Sequence, residues 1–279
     1  MKTKLSLTKN NFLTMKQGIV YTAVGKKKYI DQAQLSAKSA KRFQPEIHVT
    51  LVTDMPSEEK LDFIDNVVEI ENLNVPGNQK MIYKLLAHLK TPYDYTLALD
   101  SDTYILDNIS EMFDVLKRFD LAICHGHNRF VRYSRALEYK VALPEIPYAF
   151  AEINSGVILY KKTEQTTKFF QDVLSLYKQK QYWSNQTSIR EMLWKSDLQF
   201  YILPREYNFN RLEDMKRWAK QDFRKARPKI FHYTSLKQKQ DLNNIDKIMQ
   251  PFIERLATSD SPSGLQKLKW RLKMMLLND

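Results

Sequence analysis

The chain has 279 residues, 43% hydrophobic and 12% aromatic, which suffices for the core of a single α/β domain and excludes disorder over most of its length. Its 44 Lys and Arg against 32 Asp and Glu give a formal charge of +12, which favours anionic partners such as nucleotide diphosphates, phosphorylated acceptors, anionic lipid or nucleic acid without choosing among them. A single cysteine, Cys124, rules out an internal disulfide, the opening MKTKLSLTKN lacks the apolar centre of a signal peptide, and no run approaches the roughly 18 apolar residues of a membrane span, so a reducing, cytoplasmic setting is expected.

Gly18 to Val24 is an apolar, β-branched run ended by Gly25, and Ala33, Leu35, Ala37 and Ala40 then recur with helical spacing over Ile30 to Phe43. This predicts a strand followed by a helix. Ile47 to Thr53 predicts a second strand, stopped at Asp54-Met55-Pro56, and Asn66 to Ile70 a third. Met81, Ile82, Leu85, Leu86 and Leu89 mark one side of a helix over Gln79 to Leu89, which feeds a strand at Tyr95 to Leu99. Such alternation predicts a Rossmann-like, mostly parallel sheet flanked by helices on both faces. Beyond it, Leu121 to Cys124 and Ser155 to Tyr160 predict short strands, separated by a Pro-, Tyr- and Arg-containing stretch from His125 to Phe150 with the character of an active-site loop. Helices over Glu164 to Gln179 and Asn185 to Trp194 precede a strand at Gln199 to Leu203, and no internal repeat is present. Ser259 to Gly264 reads as a linker to a short basic tail.

The run Leu97-Ala98-Leu99-Asp100-Ser101-Asp102 places two carboxylates directly after an apolar strand, at the edge where open α/β sheets bind ligands. Residues two apart in extended backbone project to the same side. Either carboxylate alone would repel a diphosphate, whereas a hard divalent cation accepts oxygen from protein and phosphate together. The competing structural role is to cap a turn at Tyr104 to Ile109. Lys80 and Lys84, one helical turn apart before the carboxylate strand, either face the diphosphate or form a solvated helix face. A haloacid-dehalogenase-like phosphatase also ends an apolar strand in Asp-x-Asp, but it starts near its first strand with that motif and needs a later acidic cluster, and neither holds here.

From about Gly18 to His232 the sequence resembles the A-type glycosyltransferase fold, and most closely the retaining galactosyl- and glucosyltransferases of family eight. The resemblance implies a nucleotide-sugar donor site in which Thr22, Ala23 and Tyr29 lie by the nucleoside, Asp54 meets the base, and Ser101 accompanies the metal-holding Asp100 and Asp102. It identifies Asn154-Ser155-Gly156 with the family's Asn-x-Gly, where the amide of Asn154 meets sugar hydroxyls and Gly156 allows close approach. The family's Asp-Gln stands here as Asn185-Gln186, which keeps hydrogen bonding and loses a charge. Leu203-Pro204-Arg205-Glu206-Tyr207-Asn208 matches the family's Leu-Pro-x-x-Tyr-Asn, and His232 matches its late histidine, a third metal ligand. The glycine and lysine that usually follow that histidine are Ser235 and Gln238 here, so Lys237 is the residue assigned to the diphosphate.

The resemblance therefore implies one glycosyltransferase domain over residues 15–258, with a nucleotide-binding half at 15–107 and an acceptor and sugar half at 108–258, followed by a linker and tail at 259–279. It implies transfer of a sugar, UDP being the expected donor nucleotide, to a glycan, lipid-linked or small-molecule acceptor, with manganese or magnesium as the divalent metal. The tail offers a non-enzymatic alternative. Read as a helix, it places Leu265, Leu268, Leu272, Met275 and Leu276 on one face with flanking cations, which suits an anionic membrane surface. Nucleic acid is not an expected partner, since no recognised module is present.

Overall fold

The protein is described by a computed structural model at residues 16–55, 60–126, 146–147, 149–219, 227–233, 244–257, 264–266, 268–269 and 272. Its main sheet contains β1 (Gln17–Ala23), β2 (His48–Thr53), β3 (Asn66–Glu69), β4 (Tyr95–Leu99), β6 (Leu121–His125), β7 (Ile153–Lys161) and β8 (Phe200–Leu203), in the order β3-β2-β1-β4-β7-β6-β8. A separate ribbon pairs β5 (Thr103–Ile105) antiparallel with β9 (Ile230–His232). The α-helices are α1 (Lys27–Phe43), α2 (Ile82–Leu89), α3 (Glu164–Lys180), α4 (Asn185–Lys195), α5 (Leu212–Ala219) and α6 (Ile245–Leu256), with 3-10 turns at Gly77–Gln79, Ser110–Lys117 and Arg205–Tyr207.

Strand alternation divides the core. On one face Ile19, Tyr21, Leu97, Leu99, Val157 and Leu159 pack with Met112, Phe113 and Leu116 and with the small Ala33, Ala37 and Ala40, which let α1 lie close to the sheet. On the other face Val20, Ile158 and Tyr160 meet Tyr83 and Leu85 of α2, Phe169 and Phe170 of α3 and Ile189 of α4. A third cluster joins Tyr104, Phe231 and Tyr233 of the ribbon region to Met249, Phe252 and Ile253 of α6. The ends of α3 and α4 are set locally: Thr163 and Thr166 form a reciprocal capping box, and Ser184 accepts from the Gln186 N–H at 3.3 Å.

The sheet is mostly parallel as expected, with one departure at β7, which runs antiparallel to both β4 and β6. The turn expected at Tyr104 to Ile109 begins instead with the strand residues of β5. The helix expected from Gln79 starts only at Ile82, after a 3-10 turn. Helices α5 and α6 have no counterpart in the sequence-based reading, and in α6 an internal Pro251 interrupts the signal. Among the described residues no helix is long and apolar enough to cross a membrane.

Candidate metal and donor site

Asp100 directly follows β4, Asp102 lies on the turn beyond it, and His232 closes β9, so the meeting of the three depends on the ribbon. In that ribbon Thr103 is the register partner of His232, which brings a residue 130 positions away beside the carboxylates. The backbone is pinned throughout. Asp100 N–H donates to Gly156 O at 2.9 Å, Tyr233 N–H to Asp102 O at 2.9 Å, and His232 N–H to Phe209 O at 2.6 Å. A hydroxyl relay supports the turn from inside: Tyr21 Oη contacts Ser36 Oγ at 2.8 Å, Ser36 Oγ contacts Thr103 Oγ1 at 2.7 Å, and Thr103 donates to Asp100 O at 2.8 Å.

Ligand atoms of Asp100, Asp102 and His232 all lie within 4.8 Å of one another. His232 Nε2 is 3.1 Å from Asp102 Oδ1 and 3.5 Å from Asp100 Oδ2. Adjacent ligands on an octahedral cation with bonds of about 2.1 Å stand about 3 Å apart, so the donor set fits such an ion. Burial alone would raise the Asp102 pKa, but the hydrogen bond and charge of His232, with Lys84, hold it below the usual carboxylate range. Burial likewise opposes protonation of His232, and the hydrogen bond and charge of Asp102, then Asp100, outweigh it and raise its pKa. Lys84 is ion-paired with Asp100 Oδ1, so a side-chain cation already offsets part of the carboxylate charge.

The main sheet supplies the adjoining wall. Pairing between β6 and β7 skips from Ile123 with Ile158 to Cys124 with Asn154, a bulge that turns Ser155 and Gly156 out of the regular ladder. Asn154 Oδ1 accepts from Gly156 N–H at 2.8 Å. Ser155 is held from α4: its N–H donates to Gln186 Oε1 at 3.1 Å and its hydroxyl to Asn185 Oδ1 at 3.1 Å. Asn185 is buried, and its Nδ2 has no hydrogen-bond partner in the described structure. Gly156 is required for a reason the sequence did not indicate. A Cβ there would lie 2.4 Å from His232 Cε1 and 2.8 Å from Nδ1, so the missing side chain makes room for the imidazole.

A cleft beside this wall is lined by Thr22 and Val20 of β1, Lys84 and His88 of α2, Asp100 and Ser155. His88 stacks on Phe170 with centroids 4.4 Å apart, and burial with the nearby Lys84 pushes its pKa down to about 3, so it is neutral. The other expected donor contacts are spread along the same edge. Asp54 Oδ1 accepts from the N–H of Gly25 at 2.8 Å, and Gly25, at φ 74°, leaves space for Lys80 Nζ, 2.9 Å from where a Cβ would stand. Ser101 and Ala23 are buried, the latter wholly within the core. Tyr29 packs against the α1 side of the core with Lys28 over its ring at 4.9 Å. Lys237, Ser235, Gln238 and most of the loop expected over His125 to Phe150 lie outside the described residues. Ser155 and His88 were not singled out from sequence. Ser155 lay inside the Asn-x-Gly motif, and His88 continues the one-turn spacing of Lys80 and Lys84, the signal that could have found it.

A seven-stranded, mostly parallel sheet with paired aspartates and a histidine at the carboxyl edge of a central strand defines an A-type glycosyltransferase architecture. The family profile of nucleotide-diphospho-sugar transferases matches residues 71–247, and the chain belongs to that family. Solved structures agree in fold. The bifunctional glycosyltransferase WbbM in its apo form superposes with a TM-score of 0.58 at 19% identity, over 94% of this chain and 52% of that one, so the chain spans about half of WbbM. The galactosyltransferase LgtC, solved with donor and acceptor sugar analogues, gives 0.55 at 16% identity over 92% of this chain and 99% of that one. Mouse xyloside xylosyltransferase 1 gives 0.54 at 14% identity over 78% and 97%. No curated protein sequence matches the chain significantly. Membership in the transferase family sets the phosphatase alternative aside.

Proposed function

We propose that the protein transfers a sugar from a nucleotide diphosphate, UDP being the nucleotide, to an acceptor hydroxyl of a glycan, a lipid-linked sugar or a small molecule. The observation that carries this reading is the convergence of Asp100, Asp102 and His232 beside Lys84, in a chain of the nucleotide-diphospho-sugar transferase family. Bound there, a divalent cation would offset repulsion between carboxylates and diphosphate and stabilise charge on the departing group. An imidazole in the ligand set favours manganese over magnesium, which prefers oxygen alone.

The remaining roles belong to this chain's own side chains. Asp100, Asp102 and His232 would hold the cation, and Lys84, paired with Asp100 in the absence of metal, would be left to meet the diphosphate, with Lys80 beside Gly25 as a second cation. Thr22, Ala23, Tyr29 and Asp54 are assigned to the nucleoside, Ala23 through its backbone because its side chain is buried. Asn154 and Gln186 face the sugar, held by their hydrogen bonds to Gly156 and Ser155, and Asn185 positions them through the Ser155 hydroxyl. For the tail we propose contact with an anionic membrane surface, since Leu265, Leu268 and Leu272 are all exposed.

The direct test is Asp102→Asn. Metal-dependent release of sugar from the donor should fall by two orders of magnitude or more, roughly the ~10²–10³ expected for loss of one electrostatic group in a preorganised site, while circular dichroism stays unchanged. Full retention of turnover would remove the assignment.

A further inference from the structure

The two ring nitrogens of His232 have different neighbours. Nε2 faces the carboxylates, 3.1 Å from Asp102 Oδ1 and 3.5 Å from Asp100 Oδ2, whereas Nδ1 lies 3.1 Å from Oδ1 of Asn208. Both side chains are buried, so bulk water does not compete for these contacts. A neutral imidazole has one free lone pair and can ligate through Nε2 only when its proton is on Nδ1. With no cation present the Asp102 carboxylate accepts from Nε2; where a cation would take the place of that proton, the amide oxygen opposite Nδ1 favours the form that ligates.

Asn208 is placed to do this by its backbone. It follows the Arg205–Tyr207 turn, its N–H donating to Arg205 O at 3.0 Å, and the next residue, Phe209, bridges to Phe231 and accepts from His232 N–H at 2.6 Å. Two consecutive residues thus hold the backbone and the ring of His232. The bare Gly156, whose Cβ would stand 2.8 Å from Nδ1, leaves the ring its space.

We propose that Asn208 is a positioning residue that keeps the His232 proton on Nδ1 and aims Nε2 at the divalent cation. The proposal rests on the metal-site reading given above. The rotated amide, with Nδ2 toward the ring, would put the proton on Nε2 and work against ligation. Second-layer partners of this kind typically change metal affinity by about 10- to 100-fold.

The test measures binding of manganese alone at fixed pH, by the electron paramagnetic resonance of free Mn2+, and the absorption of the Co2+-loaded protein. Asn208→Leu should weaken Mn2+ binding about 10- to 100-fold with unchanged circular dichroism, and its Co2+ spectrum should move toward that of His232→Ala. Asn208→Asp keeps an acceptor opposite Nδ1 and should bind Mn2+ at least as tightly as the unaltered protein; it decides the matter if the leucine variant does not fold. A folded Asn208→Leu with unaltered Mn2+ affinity and Co2+ spectrum, or weaker binding by Asn208→Asp, overturns the proposal. The two readings fail differently: an unaltered protein that takes up no Mn2+ sinks the metal site itself, while Mn2+ binding that is lost in Asp102→Asn and indifferent to Asn208 sinks only this inference.

Discussion

Gly156 carries a constraint that belongs to another residue's side chain. Any side chain there must displace a buried imidazole whose backbone is held at 2.6 Å by Phe209 and whose ring contacts Asn208 and Asp102. Gly156→Ala should therefore cost about 1–3 kcal/mol in denaturant unfolding and weaken Mn2+ binding in the folded variant. An alanine variant with unaltered stability and Mn2+ affinity would mean that the ring moves freely. At this scale the sequence is informative about Asp100 and Asp102, because two carboxylates after an apolar strand read directly as a ligand edge. It is less informative about why Gly156 must be glycine, since the atoms it would strike come from position 232. Asn208 was visible as part of a motif, but its partner nitrogen is set by tertiary pairing alone.

Helix α2 shows how one element serves both core and cleft. Lys84 pairs with Asp100 and His88, a turn later, is buried against Phe170 and Tyr160. Because the folded-state pKa of His88, about 3, lies below its ordinary value of 6.5, its contribution to stability is present above 6.5 and is lost as pH falls toward 3. His88→Phe, which keeps an aromatic ring on Phe170, should flatten the fall in urea midpoint between those pH values relative to the unaltered protein. Equal slopes for the two proteins would show that His88 is not buried neutral. The long apolar strands and α1, α3 and α4 were legible because their periodicity repeats over enough residues. The three-residue strands β5 and β9 were not, because their existence depends on pairing with each other, and the antiparallel direction of β7 is a matter of its tertiary pairing with β4 and β6, which no local pattern encodes.

Across the molecule, the carboxyl edge of β1 and β4, the β7 bulge and the β5–β9 ribbon converge from stretches far apart in sequence. The +12 charge suits a diphosphate donor and, at the tail, an anionic surface. Removing the residues after Gly264 should abolish sedimentation with phosphatidylserine vesicles and leave donor hydrolysis intact; vesicle binding that survives truncation would place the contact elsewhere on the domain. The proposed donor site needs metal. The measurement that tests it most directly is the thermal midpoint in the presence of nucleoside diphosphates and nucleotide sugars, each with and without manganese, since a ligand bound only by the native state raises that midpoint. A uridine diphosphate ligand should raise it only when manganese is present, and the rise should vanish in Asp102→Asn. A nucleotide shift of equal size without metal, or none with any nucleotide, would contradict it.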